Sequence, residues 1–466
     1  MISFFIALAV HLAIILPLIN LPIALDDMYQ YDMLARSLKS GNGFRWYSAA
    51  DMVVLEPYYS RFLDLDAMDF PALGIPTAFR APGYPFFLAG LYSLTSQTFH
   101  VSIARIAQAI LAALLAPISF FIGRRIRLTS HQALVTAILM GFYPILLFYP
   151  LGLASENLYI PLCALSTLLL SWLPEKPELG RLVLAAMMLG LTMFTRSIFL
   201  PYTLYAALWL FYFHPRKHIA GIILFLAAMA LCLPWALRNT QLIGRPAFVE
   251  NSLGYNLFIG YHPEGDGGFV SSIAIQPMHI LSDRERDAVC MEAAREFIRQ
   301  SPGVALARVA ARAFKFFGPE TREFIFFYSN NLAGALPACL LIFIFLILTL
   351  PWCLVLFFGL QGLISIRSEP FFWLVLALLS GYALPHLHII SEPRFHLALV
   401  PVLLPLAVKG WGQSRMRNFT STSRADKLGT IVSLGLIVFI LIGVILSLKD
   451  FLPLLAPAGN TLYLPY

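Results

Sequence analysis

Apolar residues fill long stretches of this chain, at about 3–24, 101–123, 132–150, 156–173, 182–196, 197–213, 219–236, 333–360, 371–389, 394–410 and 428–448. Most approach the roughly 20 residues that a membrane-crossing helix needs, and none alternates polar and apolar as a barrel strand does. Two long polar stretches interrupt them, at about 25–100 and 237–332. The pattern predicts an all-α polytopic membrane protein: a first transmembrane helix over 1–24, a first outer loop over 25–100 and helices 2–7 over 101–236. A second outer loop over 237–332, helices 8–11 over 333–448 and an outer tail over 449–466 complete it, for about 11 spans in all. The long run 333–360 contains Pro351 and reads equally as one tilted span or two.

Composition supports this reading. Hydrophobic residues make up 59% of the 466 and charged residues 12%, too little charge to cover a water-facing surface. A soluble enzyme and a disordered chain are thereby excluded. The net charge of +7 does not form a nucleic-acid stripe. It gathers in short loops: Arg124, Arg125 and Arg127; Arg216 and Lys217; Lys409, Arg415, Arg417, Arg424 and Lys427. These loops share one side only if residues 84–97 lie in the membrane interface, for which that short apolar segment is suited. The expected topology has the N-terminus inside, both long loops outside, and residues 3–24 as a retained anchor. The expected location is a bacterial inner membrane, with the site on its periplasmic face. The five cysteines have no paired or metal-like spacing and read as small packing residues.

In the second loop, Ser282 followed by Glu285 predicts a capped helix running to Ser301-Pro302. A further amphipathic stretch, 303–317, aligns Arg308, Arg312 and Lys315 on a face suited to anionic headgroups. Glu264 to Gly268 reads as an acidic turn, and lacks the lysine of a phosphate-binding loop. Asp64-Leu65-Asp66 has the form of a nucleotide-sugar metal motif, but such donors are not expected outside a membrane.

Ionisable residues stand at the outer ends of the apolar runs, where burial is costly. Asp26 and Asp27 end the first, Glu156 opens the fourth, Arg196 ends the fifth, and Arg238 ends the seventh. His386 and His388 end the ninth and Arg394 opens the tenth. Each alone has an ordinary reading as a helix-end or anchoring residue. In the expected topology all lie at one depth, as for a cavity that holds an anionic headgroup and deprotonates an acceptor.

Local patterns in order along residues 20–410 carry a family resemblance. They are DDMYQYDMLARSLKSGNGF after the first span, RAPGYPFFLAGLY, Arg105 opening a span that ends at Gly123-Arg124-Arg125, Ser155-Glu156 and Thr195-Arg196. Pro234-Trp235 with Arg238-Asn239, Gly254-Tyr255-Asn256-Leu257 and Glu392-Pro393-Arg394-Phe395 follow. The chain resembles the GT-C membrane glycosyltransferases, in the branch of lipid A aminoarabinose transferases and protein O-mannosyltransferases. The resemblance implies a GT-C-like bundle with interfacial helices in the first outer loop and a polyprenyl-phosphate sugar as donor. The acceptor is a lipid, glycan or protein, and neither nucleic acid nor an organic cofactor is called for; a divalent metal remains open.

The resemblance further implies a general-base aspartate after the first span, matched by Asp27, with the match to Asp26 left open. Arg80, Arg238 and Arg394 are the candidates for the donor phosphate, and Tyr84, Glu156, Arg196, Tyr255, Asn256 and His386 for the cavity. Partial desolvation would raise the aspartate's proton affinity towards that of a useful base. One displacement on the anomeric carbon would invert its configuration. A flippase of isoprenoid-linked sugars would show pseudo-symmetric halves and mid-membrane charges, and neither is evident. A polymerase or ligase of the O-antigen type would carry its large outer loop late in the chain. The transferase is therefore the favoured reading.

Overall fold

A computed structural model of the chain describes residues 2–24, 27–329, 334–414 and 424–456. Asp26, much of the third basic loop and the tail beyond 456 lie outside the described residues. The structure is mostly helical, as expected. The first long loop contains α2 (Asp27–Lys39), α3 (Ala49–Tyr59) and α4 (Gly83–Tyr92), after the opening helix α1 (Ile2–Ile15). The apolar runs that follow become α5 (His100–Arg125), α6 (Ser130–Gly141), α7 (Pro144–Phe148), α8 (Glu156–Trp172), α9 (Leu179–Thr195), α10 (Leu200–Phe213) and α11 (Lys217–Ile243). The second loop folds as α12 (Leu253–Tyr261), α13 (Ser271–Ala274), α14 (Asp283–Gln300), α15 (Pro302–Phe316) and α16 (Arg322–Ser329). The last apolar helices are α17 (Ala338–Ser365), α18 (Pro370–Leu378), α19 (Leu384–His388), α20 (Val400–Ser414) and α21 (Arg424–Phe451).

Among the described residues, six helices are long and apolar enough to cross a membrane, or seven if α6 and α7, bent by 52°, form one span. Length alone does not bring the count to about 11. Three predicted runs form shorter apolar helices, Ile2–Leu18, Leu179–Thr195 and Ser197–Phe213. At about 1.5 Å per residue, 17 residues reach only about 25 Å. The run with Pro351 forms one continuous helix, α17. Residues 84–97 begin with the short α4, too short to cross.

Helices α17 and α20 approach backbone to backbone. A Cβ added at Gly362 would lie 1.9 Å from the Leu406 carbonyl oxygen, and one at Gly410 2.2 Å from that of Phe358. Only glycine permits this separation, as at other close helix crossings in membranes. Gly362→Val is therefore expected to cost about 1–3 kcal/mol through overpacking, read as a lowered melting temperature of the purified protein. An unchanged melting temperature would refute this account of the helix contact.

The two long loops fold onto one another. Arg45–Trp46 and Ile75–Pro76 pair as two short antiparallel strands, an addition to the all-helical expectation. This pairing returns the chain towards α2 just before Arg80. Ser282 caps α14, accepting from the Glu285 amide at 3.4 Å, but the Glu285 side chain does not complete the capping box that this spacing suggests. The Asp283 carboxylate then accepts from the Thr77 hydroxyl (2.7 Å) and the Ala78 amide (2.6 Å). One turn on, Asp287 accepts from the Gly254 amide (2.6 Å) and Arg245 (2.7 Å), holding α12.

The arginine face of α15 departs from expectation. Arg308 and Arg312 are buried and donate to backbone carbonyls of His262, Pro263, Gly260, Gly267, Leu387 and His388. Lys315 pairs with Asp266 at 2.6 Å. The face holds the Glu264–Gly268 turn rather than lipid headgroups, because those backbone carbonyls satisfy the guanidiniums inside the protein.

Candidate active site

A cavity of about 290 Å³ opens where the two long loops meet the ends of the apolar helices. Asp27 is the first residue of α2, a favourable place for a carboxylate at a helix N-terminus. Arg80 reaches it from the segment after the second strand. Glu156 is the first residue of α8, and Arg196 sits in an extended break after α9. Arg394 lies in the 3-10 turn Pro393–Leu399.

These five side chains form one network. Arg80 pairs with Asp27, and Arg394 stands 3.5 Å from the other Asp27 oxygen. Glu156 pairs with Arg196 at 2.7 Å and lies 3.7 Å from Arg394. Arg394 thus joins the two carboxylates, and three guanidiniums against two carboxylates leave one positive charge in excess. Arg80 is further fixed by Gln30, which accepts from it at 3.0 and 2.6 Å, and by Tyr31, whose ring lies 5.5 Å from the guanidinium.

Burial pushes the Asp27 carboxyl up, but Arg80 and Arg394 outweigh it and hold the group below the usual carboxylate range. The raised value expected from desolvation alone is corrected accordingly, because the cations that converge on Asp27 come from remote segments.

Asp27, Arg80, Glu156, Arg196, Tyr255, Asn256, His386 and Arg394 all line the cavity. Tyr84 and Arg238 do not. The Tyr84 hydroxyl is buried against Gln108. Arg238 donates to the Thr77 carbonyl (2.5 Å) and lies 4.8 Å from the Trp235 ring, where it supports the segment that carries Arg80. The lining residues that sequence did not single out include Gln30, Tyr59, Glu250 and Ser252. Gln30 had a signal, since it follows Asp27 by three positions on the same helix face.

Glu392, prominent in the sequence only as part of a motif, accepts from the Phe269 amide (2.5 Å) and pairs with Arg322. It ties the second loop to the cavity wall. Beside it, burial raises the Glu323 carboxyl to about 7. Among the described residues no three His, Cys, Asp or Glu side chains converge as a metal-ligand set. The cavity carboxylates Asp27 and Glu156 already face guanidiniums, so the donor set present does not fit a cation.

Fold and site together define an integral membrane protein of helical bundle type, with a cavity under two packed loops lined by three arginines and four carboxylates. Residues 79–238 match the family described as dolichyl-phosphate-mannose-protein mannosyltransferase. The resemblance to the GT-C membrane glycosyltransferases is thereby borne out. The matched segment includes Arg80, Glu156 and Arg196 but neither Asp27 nor Arg394. No curated protein matches the chain in sequence.

Among solved structures, the chain is similar to the Archaeoglobus fulgidus oligosaccharyltransferase complexed with Zn and sulfate, at 14% identity and a TM-score of 0.47. The match covers 98% of this chain and 52% of that one. It is also similar to the archaeal oligosaccharyltransferase AglB from Archaeoglobus fulgidus in complex with an inhibitory peptide and a dolichol-phosphate. There the identity is 13% and the TM-score 0.46, over 99% of this chain and 56% of that one. The chain spans about half the length of these proteins.

Proposed function

We propose that the protein is a membrane glycosyltransferase that moves a sugar from a polyprenyl-phosphate donor to an acceptor hydroxyl. The observation that carries this reading is the Asp27 carboxylate set between Arg80 and Arg394 on the cavity wall. A base and an anion site share one place there, as transfer from a phosphate leaving group requires.

In the proposed reaction the Asp27 carboxylate takes the acceptor's hydroxyl proton. The acceptor oxygen bonds to the anomeric carbon as the bond from that carbon to the phosphate oxygen breaks, inverting the centre. The released phosphate carries the electron pair and rests on Arg80 and Arg394. In the free protein Asp27 is a weak base, because both guanidiniums favour its ionised form. A donor phosphate seated on them offsets their charge and strengthens the base when it is needed.

The expected topology belongs to this reading. With the bent pair, the three shorter apolar helices and α8 read as spans the count is about 11, and the basic short loops then favour a cavity facing outward. The acceptor class is lipid, glycan or protein.

The test uses purified full-length protein with polyprenyl-phosphate mannose, glucose and aminoarabinose, and a membrane extract as acceptor. Mass spectrometry is expected to find polyprenyl phosphate released in step with a glycosylated product. Movement of an intact donor between vesicle leaflets, with no release from any of the three, would overturn the transferase in favour of a flippase.

A further inference from the structure

His386 is set apart from the other buried histidines. His396 uses both ring nitrogens, on the Phe316 carbonyl (2.7 Å) and Glu320 (2.8 Å). His11 uses one, on the Ala7 carbonyl at 2.8 Å. His386 is 2% exposed, and neither Nδ1 nor Nε2 meets a partner with hydrogen-bond geometry, although the Ile390 backbone lies close. Buried polar atoms in proteins are nearly always paired. This ring lines the cavity, so a bound group can supply what the protein does not.

The ring is also held in place. It follows a π-helical turn, Leu379–Ala383, a deviation frequent at functional sites. It stacks on Phe395 at 4.3 Å between centroids, and Tyr382 meets it edge-on at 4.8 Å. Phe395 also carries the guanidiniums of Arg196 (5.1 Å) and Arg394 (5.6 Å). His386 therefore stands one aromatic ring away from the ion network that faces the phosphate.

We propose that His386 reads the donor's sugar, pairing an imidazole nitrogen with a ring hydroxyl or amine while the phosphate rests on Arg80 and Arg394. This rests on the reading of the cavity as a glycosyl-donor site. The isoprenoid chain would leave both nitrogens unpaired, so it is not the occupant of this wall. A hydroxyl-bearing ring against Phe395 and His386 satisfies both surfaces.

The experiment compares binding of bare undecaprenyl phosphate with that of its mannose, glucose and aminoarabinose forms, using full-length protein in nanodiscs. The wild type is expected to bind at least one sugar-bearing lipid more tightly than the bare lipid. In His386→Phe, of similar shape but without hydrogen bonds, that margin falls by about tenfold or more. Affinity for the bare lipid stays within about twofold, as expected of a variant that leaves phosphate contacts intact. His386→Gln, which keeps a donor and an acceptor, restores part of the margin.

A margin unchanged in His386→Phe overturns the proposal, as does a wild type with no margin for any sugar. Loss of bare-lipid binding in both variants also overturns it, since a sugar reader leaves the phosphate site intact. A wild type that binds bare undecaprenyl phosphate no better than neutral undecaprenol removes the donor-site reading itself and this inference with it.

Discussion

Asp27→Asn is expected to lower sugar transfer by about 10³ and yet to tighten binding of bare polyprenyl phosphate. The loss of rate would follow from removing the proposed general base, a role whose contribution is typically about 10²–10⁴. The gain in affinity follows from the geometry. Asp27 occupies Arg80 and Arg394 in the free protein, so a phosphate must displace a carboxylate to reach them. Removing that charge raises the positive excess of the network from one to two, with Glu156, Arg196 and both clamp arginines retained. Calorimetry with undecaprenyl phosphate, beside a single-turnover transfer assay, separates the two effects. Unchanged transfer would sink the base assignment; weaker lipid binding would sink the competition between carboxylate and phosphate.

The same arrangement sets a pH signature. A base acts when deprotonated, so kcat/KM falls as pH drops through the free protein's Asp27 titration. Arg80 and Arg394 place that acid limb below the ordinary carboxylate range. Arg80→Gln removes one of them while burial remains, so the limb moves to higher pH in that variant.

Arg394→Gln is expected to weaken binding of bare polyprenyl phosphate by about 10². Arg394 is the group that links Asp27 to Glu156, and truncating one partner of a desolvated charge pair commonly costs about 2–5 kcal/mol. Glu156 would then keep Arg196 alone, and Asp27 would keep Arg80. Arg238→Gln is the informative contrast. Its guanidinium already serves the Thr77 carbonyl and the Trp235 ring, so its loss is expected to lower the melting temperature and leave lipid affinity nearly unchanged. If the two variants exchange these effects, the clamp has been assigned to the wrong arginine.

These contrasts show where sequence reasoning carried and where it stopped. The cap at Ser282 was legible because a capping residue and its amide are three positions apart. The role of the helix it begins was not. Asp283 serves Thr77 and Ala78, about 200 positions earlier, and nothing local marks that partnership. The arginines of α15 misled for a related reason. A basic stripe on an amphipathic helix suits headgroups equally well as it suits carbonyls of a neighbouring turn, and the choice belongs to the neighbour.

Membrane character and the helices with charges at their ends followed from the chain alone, because lipid contact demands contiguous apolar residues and makes each interruption conspicuous. The azimuth of those charges around the bundle did not follow. Arg238 closes one apolar run and Arg394 opens another, yet Arg394 meets a carboxylate 367 positions away while Arg238 faces a backbone carbonyl. Hydrophobic runs locate a residue along its own helix axis; which side chains then face one another depends on how distant helices and loops pack, and that packing made Asp27, Arg80, Glu156, Arg196 and Arg394 into one site.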